Sequence, residues 1–243
     1  MEETRPHAQL RWKTIAEVSV LLCVLSVLAA ILFPTINRSR EDLRRSSCQS
    51  NLKQIMLSVK QYIADYDQTY PLVIVGSKAD FEEAGSTFGW ADVLEPYRRS
   101  LGIFQCPSEK VPPTKHQMPQ PQTEGLENRN AVVLVDNTPL YHQYTDYWFN
   151  ARASGAGEKQ IQRPAQTILL GDGNDGIDST NARYHLLSIP TKWRKDEESP
   201  LYRHLDGANF AFADGHVKWF KADKWNSKLD ATNGYTLRLK PKN

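Results

Sequence analysis

Residues 15–33 read IAEVSVLLCVLSVLAAILF, an apolar run that contains one carboxylate, Glu17, and is closed by Pro34. A helix of this length rises about 28 Å, which is close to the hydrocarbon thickness of a bilayer. A secretory signal peptide would have a shorter apolar core, of about 7 to 15 residues, followed by a small-residue cleavage site. The run therefore predicts a membrane-spanning helix. Because an ionisable side chain is costly inside a bilayer, we also expect Glu17 to have a partner.

The sequence after Pro34 keeps a helical period but becomes amphipathic. The residue before a proline is steered away from helical angles, so Tyr70-Pro71 ends the pattern. We therefore expect one helix from about Ile15 to Asp65, kinked at Pro34. Its second half carries apolar residues at three- and four-residue steps, as expected of a face packed on a core: Leu52, Ile55, Met56, Val59, Tyr62, Ile63 and Tyr66.

Composition places a soluble body after this helix. About 170 residues follow position 70, which suits one domain of ordinary size. The 30 basic and 28 acidic residues nearly cancel, so we expect no nucleic-acid partner. The predicted segments are a basic leader-like stretch over 1–13, a transmembrane helix over 14–34, its amphipathic continuation over 35–70, and a soluble α+β domain over 71–243.

The clearest local pattern in the soluble part is ANFAFADGHVKWF, residues 208–220. Two β-type runs flank Asp214-Gly215, a pair favoured in two-residue type I′ hairpin turns. Phe210 and Phe212 fall on one face of the first run by the two-residue period. Further strands are predicted at 131–136, 141–149 and 167–170. Together these patterns predict class α+β, with the long N-terminal helix packed on a small antiparallel β-sheet.

The stretch ILFPTINRSREDLRRSSCQSNLKQIMLSVKQYIADYDQTYP, residues 31–71, resembles the N-terminal helix of bacterial type IV pilin-like proteins, the pseudopilins. In that family a basic leader ends in glycine, and a glutamate follows shortly after the cleavage site. Counted back from Pro34, Glu17 falls on this glutamate and Lys13 on the first residue of the mature chain. The resemblance implies that Glu17 pairs with the N-terminal amine of a neighbouring subunit. Trp12 stands where the family has glycine, so the processing site at Trp12-Lys13 departs from the pattern.

A second resemblance lies near the C-terminus. His204 is followed by nine residues and then Asp214-Gly215, similar to the H-X9-DG signature of prepilin-like proteins. Other matched stretches follow in the family's order: 106–108, 147–150, 164–173 and 203–219. The resemblance implies a structural subunit of a type II secretion or type IV pilus-like assembly, with other pseudopilins and the assembly machinery as partners. It implies a single-pass protein of the bacterial inner (cytoplasmic) membrane whose soluble domain is extracytoplasmic.

Charges and cysteines disagree about the orientation of the span. The positive-inside rule favours a cytoplasmic body, because four arginines follow the apolar run within a few residues: Arg38, Arg40, Arg44 and Arg45. Cys48 and Cys106 favour the opposite side, since in an oxidising compartment they would form a disulfide. Two free buried thiols remain the alternative. Cys23, inside the apolar run, is expected to pack as a small hydrophobe.

One stretch is rich in oxygen ligands and suits calcium: Asp172, Asn174, Asp175 and Asp178. It is not an EF-hand loop, because Gly176 and Arg183 occupy ligand positions of that motif. His204 and Asp214 are candidates for a catalytic or metal pair, although a hydrogen-bonding, structural role for His204 explains the residue more simply. No cysteine spacing resembles a zinc site.

These residues predict no enzyme and no cofactor other than the candidate calcium ion. No nucleophile elbow or converging set of ionisable groups is evident in the sequence. A second function stays open beside the assembly subunit: an uncleaved single-pass membrane anchor displaying an extracytoplasmic binding domain for a glycan, a peptide or calcium.

Overall fold

The computed structural model describes residues 6–75, 88–109, 145–173, 182–222 and 235–240. The chain divides into two compact units, Met1–Leu43 and Arg44–Asn243. Helix α1, Pro6–Asp65, begins in the first unit and ends in the second. The strand predicted at 131–136 and the first four residues of the one predicted at 141–149 lie outside the described residues.

In the first unit the described chain is helical from Pro6 onward, which is earlier than the predicted start at Ile15. Trp12, Lys13 and Pro34 therefore all lie within α1. Among the described residues, one helix is long and apolar enough to cross a membrane, and its apolar window is not buried. Its large side chains are exposed, from 50% at Val18 to 71% at Phe33.

Helix α1 ends at Asp65, as the sequence predicts. The chain then turns through Asp67 and Gln68, whose φ angles of 48° and 60° lie in the left-handed region. That region is uncommon for residues with a side chain, so the stop is made by this turn before Tyr70-Pro71 is reached.

Among its described residues, the second unit contains a five-stranded sheet and a separate two-stranded ribbon. The strands are β1 (Ile74–Val75), β2 (Phe88–Gly89), β3 (Tyr147–Asn150), β4 (Ile168–Asp172), β5 (His185–Leu186), β6 (Gly207–Phe212) and β7 (Val217–Lys221). Short 3₁₀ turns occupy Glu95–Tyr97, Leu101–Phe104, Ala151–Ala153, Glu158–Gln160, Lys192–Arg194 and Pro200–Tyr202.

The large sheet has the order β5-β3-β4-β6-β7. Pairs β3–β4, β4–β6 and β6–β7 are antiparallel, whereas β5 runs parallel to β3. The predicted α+β class with one long N-terminal apolar helix is confirmed, whereas the sheet is mixed and not purely antiparallel as predicted. The parallel pair arises because β3 and β5 are joined by a long connection through β4, which no local pattern reveals.

The apolar stripe predicted on the second half of α1 is buried in the domain core. Five of its members are at most 2% exposed: Leu52, Ile55, Met56, Val59 and Ile63. They belong to the same hydrophobic cluster as five residues from β3, β4, β6 and the residue after β6: Tyr147, Phe149, Leu170, Ala211 and Ala213. The stripe ends earlier than predicted, since Tyr66 is 52% exposed and stacks on the half-buried Tyr62.

A second core cluster lies on the other face of the sheet. Strand β6 and the residue after it show the division, because Phe210 and Phe212 belong to the second cluster whereas Ala211 and Ala213 belong to the first. Successive side chains of a strand point to opposite faces, so the alanines leave space on the face that carries the helix cluster. The predicted common face of Phe210 and Phe212 is thereby confirmed.

The hairpin between β6 and β7 is present, but its turn differs from the predicted type I′. Three residues separate Phe212 and His216, and the N–H of Phe212 donates to the carbonyl of His216 at 2.9 Å. Gly215 has φ +94°, while Asp214 is not in the positive-φ region that a type I′ turn requires. The N–H of Gly215 donates to the carbonyl of Phe212 at 2.8 Å, so the loop is a three-residue turn closed by a left-handed glycine.

Candidate functional site

Four chemically reactive side chains meet inside the second unit. Cys48 comes from α1 and Cys106 follows the 3₁₀ turn Leu101–Phe104, while Asp172 ends β4 and His204 lies in the turn before β6. Their ligand atoms all lie within 4.8 Å of one another, and no member is more than 4% exposed. We call these four residues the CCDH cluster.

The two cysteine sulfurs form the centre of the CCDH cluster. The thiol of Cys48 donates to Sγ of Cys106 at 2.7 Å, and both cysteines are free. The phenol of Tyr147 donates to Sγ of Cys48 at 3.2 Å. Helix α1 brings Cys48 here because it precedes Leu52 and Ile55 on the same buried stripe.

His204 reaches both the cysteine pair and the carboxylate. Its Nε2 lies 3.4 Å from Sγ of Cys106 and 3.4 Å from Oδ2 of Asp172. The backbone holds the histidine in place, because the N–H of His204 donates to the carbonyl of Gly207 at 2.8 Å. Leu205 and Asp206 between them have φ angles of 52° and 62°. Residues with a side chain rarely adopt these left-handed φ angles, so the turn that orients His204 has a strained backbone.

The carboxylate of Asp172 is only half satisfied. Its Oδ2 accepts the N–H of Asn209 from β6 at 2.6 Å. Its Oδ1 is buried and has no hydrogen-bond partner among the described residues. The side-chain nitrogen and oxygen of Asn209 are also buried and have no hydrogen-bond partner among the described residues. Unpartnered buried polar atoms are costly, so this part of the core is arranged for something besides hydrophobic packing.

The pKa values of the two thiols are moved in opposite directions. Burial raises the pKa of Cys48, and its hydrogen bond to Cys106 raises it further. Burial would also raise the pKa of Cys106, but hydrogen bonds from Cys48 and His204 lower it to about 6. Cys106 is therefore the sulfur that more readily carries the negative charge. Burial also raises the pKa of Tyr147, which keeps its phenol protonated as a donor to Cys48.

A buried arginine, Arg203, directly precedes His204 in the sequence and interacts electrostatically with the cluster. Arg203 forms an ion pair with Glu109, and both side chains are nearly buried. Burial lowers the pKa of Arg203, yet the negative charges of Cys106, Glu109 and Asp172 raise it above its ordinary value. Its Nη1 has no hydrogen-bond partner among the described residues. The guanidinium thus supplies positive charge beside a set of potential anions.

The structure groups the predicted site residues differently from the sequence analysis. Cys48 and Cys106, the candidate disulfide pair, are both buried with free thiols, and their sulfurs lie 2.7 Å apart. Asp172 lies in a strand and faces the cysteines, while Asn174, Asp175 and Asp178 of the candidate calcium loop lie outside the described residues.

The two members of the H-X9-DG motif have different neighbours. His204 contacts Cys106 and Asp172, whereas Asp214 bonds Nδ1 of His216 at 2.6 Å at the hairpin tip beside Gly215. Both side chains of the Asp214–His216 pair are more than a third exposed. In the first unit, Glu17 is an exposed residue of α1.

Sequence reasoning missed the association of Asp172 and His204 with the cysteines. The cysteines are separated by 58 positions, and Cys106 and His204 by 98. No short motif has such spacing. One signal was available, namely that a histidine, an aspartate and two cysteines in apolar surroundings all require polar partners. That signal does not say which of them pair.

The CCDH cluster can do two kinds of chemistry. Two thiols at contact distance can be oxidised to a disulfide, and two sulfurs with an imidazole and a carboxylate can hold a divalent metal ion. A disulfide would tie helix α1 to the segment after the 3₁₀ turn Leu101–Phe104, whereas a metal ion would also tie both to β4 and to the turn before β6.

Comparisons with known proteins bear on the whole fold. Neither the curated proteins nor the solved structures include a significant match to this chain. Residues 37–182 match the family described as a protein of unknown function, DUF1559, which is associated with pilin-like, prepilin-type proteins. The match covers more than half of the chain and includes Cys48, Cys106 and Asp172, while the H-X9-DG residues lie beyond it. With its apolar N-terminal helix, the chain fits a membrane-anchored pilin-like protein, and it belongs to the DUF1559 family.

Proposed function

We propose that this protein is a structural subunit of a type II secretion or type IV pilus-like assembly, anchored by α1 in the bacterial inner membrane. Its domain faces the extracytoplasmic side, and its partners are other pseudopilins and the assembly machinery. The observation that carries the proposal is the exposed apolar surface of α1 between Ile15 and Phe33. The family's association with pilin-like proteins supports it.

The exposed surface of α1 is too apolar to stay in water. A dozen large hydrophobic side chains of this stretch are at least 50% exposed. Removing one such side chain from water is worth roughly 1.5–3 kcal/mol, so the set contributes on the order of 20 kcal/mol. A bilayer or a bundle of similar helices removes this surface from water.

Glu17 favours a bundle over an isolated span. Its carboxylate lies at the N-terminal end of the apolar stretch, exposed in the single chain. A carboxylate in hydrocarbon is stabilised when it meets a cation. In an assembly, the N-terminal amine of a neighbouring subunit that begins at Lys13 would supply this cation.

The N-terminal residue of the mature protein tests the proposal. We expect mass spectrometry of the protein purified from its native membrane to find a chain that starts at Lys13. A chain that starts at Met1 or Glu2 would contradict a processed subunit and support the uncleaved anchor. The variant Trp12→Gly is the matched control, because it restores the glycine of the family pattern. If the variant is cleaved and the wild type is not, the peptidase reaches the site but does not accept tryptophan before the cleaved bond.

Cys23 offers a direct test of helix association, since it is a free, exposed thiol on α1. We expect oxidation of intact membranes to give disulfide-linked products that are absent in Cys23→Ser. A protein that stays uncrosslinked at its native abundance would point to an isolated anchor.

The isolated anchor with a displayed binding domain is the second candidate function. It is favoured by one observation, the tryptophan at the position before Lys13. An intact N-terminus together with an uncrosslinked Cys23 would establish this alternative.

A further inference from the structure

We propose that Cys48, Cys106, Asp172 and His204 form a structural zinc site that fastens helix α1 to the sheet. The four ligand atoms lie within 4.8 Å of one another in a region closed to solvent. This inference is independent of the proposed function, since it concerns the folded second unit whether or not α1 joins an assembly.

The donor set selects the metal. Structural zinc sites take four ligands from cysteine sulfur, histidine nitrogen and carboxylate oxygen, in tetrahedral geometry. Thiolates are soft ligands, whereas calcium and magnesium prefer oxygen alone. Two cysteines and a histidine therefore favour zinc over the calcium ion expected from the loop after Asp172.

Two of the distances in the CCDH cluster suit a tetrahedron around zinc. Ligand atoms bound to zinc at about 2.0–2.3 Å lie roughly 3.3–3.8 Å apart. Nε2 of His204 is 3.4 Å from Sγ of Cys106 and 3.4 Å from Oδ2 of Asp172. The latter pair is long for a good hydrogen bond but suits two ligands of one ion.

The distance between the sulfurs does not by itself decide between zinc and a disulfide. Sγ of Cys48 lies 2.7 Å from Sγ of Cys106. A disulfide bond measures about 2.05 Å, and two thiolates on one zinc ion lie roughly 3.8 Å apart. Either state requires small rotations of the cysteine side chains, so the decision rests on the other members of the cluster.

The burial of the Asp172 carboxylate favours a metal ion over a disulfide. A disulfide would use neither Asp172 nor His204, and it would leave a buried carboxylate and a buried imidazole outside the bonded group. A cation between the four side chains binds this carboxylate as well as the sulfurs. A metal site thus explains why a carboxylate and an imidazole are buried beside two thiols.

A positively charged side chain lies beside the site. On binding, Zn²⁺ displaces the protons of two thiols to solvent, so the ion, two thiolates and one carboxylate carry a net charge of about −1. The buried guanidinium of Arg203, which is ion-paired with Glu109, lies within electrostatic reach of Cys106 and Asp172 and reduces the cost of their negative charges.

Neighbouring groups form hydrogen bonds to the proposed ligands, as the residues around a metal site commonly do to orient its ligands. The phenol of Tyr147 donates to Sγ of Cys48, and the N–H of Asn209 donates to Oδ2 of Asp172. The carbonyl of His204 accepts Nε1–H of Trp219 at 2.8 Å, which fixes the turn that carries the imidazole.

The test is the metal content of the full-length protein, purified in detergent without chelators. We expect about one zinc per chain, and native Cys48 and Cys106 that react with a thiol reagent only after unfolding, with release of the zinc. Protein stripped of metal and incubated with cobalt should show the sulfur-to-cobalt absorption and intense visible bands of a tetrahedral thiolate site. The double variant Cys48→Ser/Cys106→Ser should bind neither metal, while Cys23→Ser, which removes the exposed thiol, should match the wild type.

Wild-type protein alone can overturn the proposal, so the test does not depend on whether the variants fold. A peptide pair linked through Cys48 and Cys106 in non-reducing mass spectrometry, without zinc, would establish the disulfide instead. Two free thiols that bind no zinc after incubation with the ion would equally refute a metal site. Zinc that binds while both native thiols stay reactive would place the ion elsewhere.

Discussion

His204 Nε2 and Asp172 Oδ2 lie 3.4 Å apart, with both side chains fully buried, although one residue belongs to a turn and the other to the end of a strand. The register of β4 against β6 creates this proximity, since the N–H of Asn209 in β6 also holds the Asp172 carboxylate. The turn with two left-handed residues, Leu205 and Asp206, then directs His204 back over the sheet.

Removal of the His204 side chain should destabilise the domain strongly. His204→Ala leaves Asp172 and Cys106 buried without the imidazole, so we expect the free energy of unfolding to fall by about 3 kcal/mol. Urea denaturation followed by tryptophan fluorescence measures the loss. The matched control is His216→Ala at the exposed hairpin tip, which should cost less than about 1 kcal/mol. Equal losses in the two variants would contradict a special role for His204.

Gly171→Ala should be destabilising through overpacking. A Cβ at this position would lie 2.4 Å from the Trp148 ring and 2.9 Å from Phe210. Two large buried rings cannot both move aside, so we expect a loss of about 1–3 kcal/mol in thermal or urea unfolding. Gly102→Ala is the control, because its Cβ would meet only Ser100 Oγ at an ordinary 3.6 Å. A neutral Gly171→Ala would show that this face of β4 is loosely packed.

Substitution of Gly215 should reveal backbone strain without steric clash. The residue has φ +94°, and a Cβ there would meet nothing within 4 Å. Gly215→Ala should therefore cost about 1–2 kcal/mol from the left-handed backbone alone. Gly215→Asn should cost less, because asparagine tolerates this region better than alanine. The same loss for both variants would argue against backbone conformation as the cause.

A charge in the apolar part of α1 should prevent stable membrane insertion. Leu22→Lys places a lysine in the middle of the apolar run, at a cost of about 3 kcal/mol on insertion scales. We expect a larger fraction of the variant in the soluble phase after alkaline extraction of membranes. Leu57→Lys is the control, since Leu57 is a leucine of the same helix that is exposed to a similar degree, 55% against 61%. Identical extraction of both variants would argue against a membrane span over this stretch.

The Asp214–His216 contact should make the hairpin sensitive to acid. Burial of Asp214 raises its pKa, but the hydrogen bonds from the backbone and ring of His216 and its charge together lower the pKa below its ordinary value. A carboxylate with a lowered folded-state pKa stabilises the fold above its unfolded pKa of about 3.9 and loses this effect as the pH falls further. The stability difference between wild type and Asp214→Asn should therefore shrink as the pH falls below about 4. A difference that grows on acidification would reverse the assigned sign.

The parts of the fold that follow from local periodicity could be predicted, and those that depend on distant pairing could not. Ile55 and Met56 repeat at helical spacing, so their burial on one face of α1 follows from the sequence. Asp214-Gly215 marks the hairpin, yet the dipeptide fits both a two-residue and a three-residue loop. The register of β6 against β7 selects the longer loop.

The CCDH cluster is the clearest limit of sequence reasoning. Cys48 and Cys106 could be paired by counting cysteines, whereas Asp172 resembled a loop ligand for calcium and His204 resembled a hairpin support. Only the stacking of α1, β4 and the turn before β6 brings the four together. Such long-range packing leaves no periodic trace in a single sequence.

The last strand of the described sheet has a consequence for how copies of this chain can meet. Strand β7 stands at the edge of the order β5-β3-β4-β6-β7, and it carries Lys218 and Lys221. Nζ of Lys218 reaches Tyr235 and lies over the Phe220 ring, so the edge is both charged and partly covered. Lysines at a sheet edge disfavour the addition of a foreign strand. This edge of the sheet is thus protected against pairing with a strand of another copy.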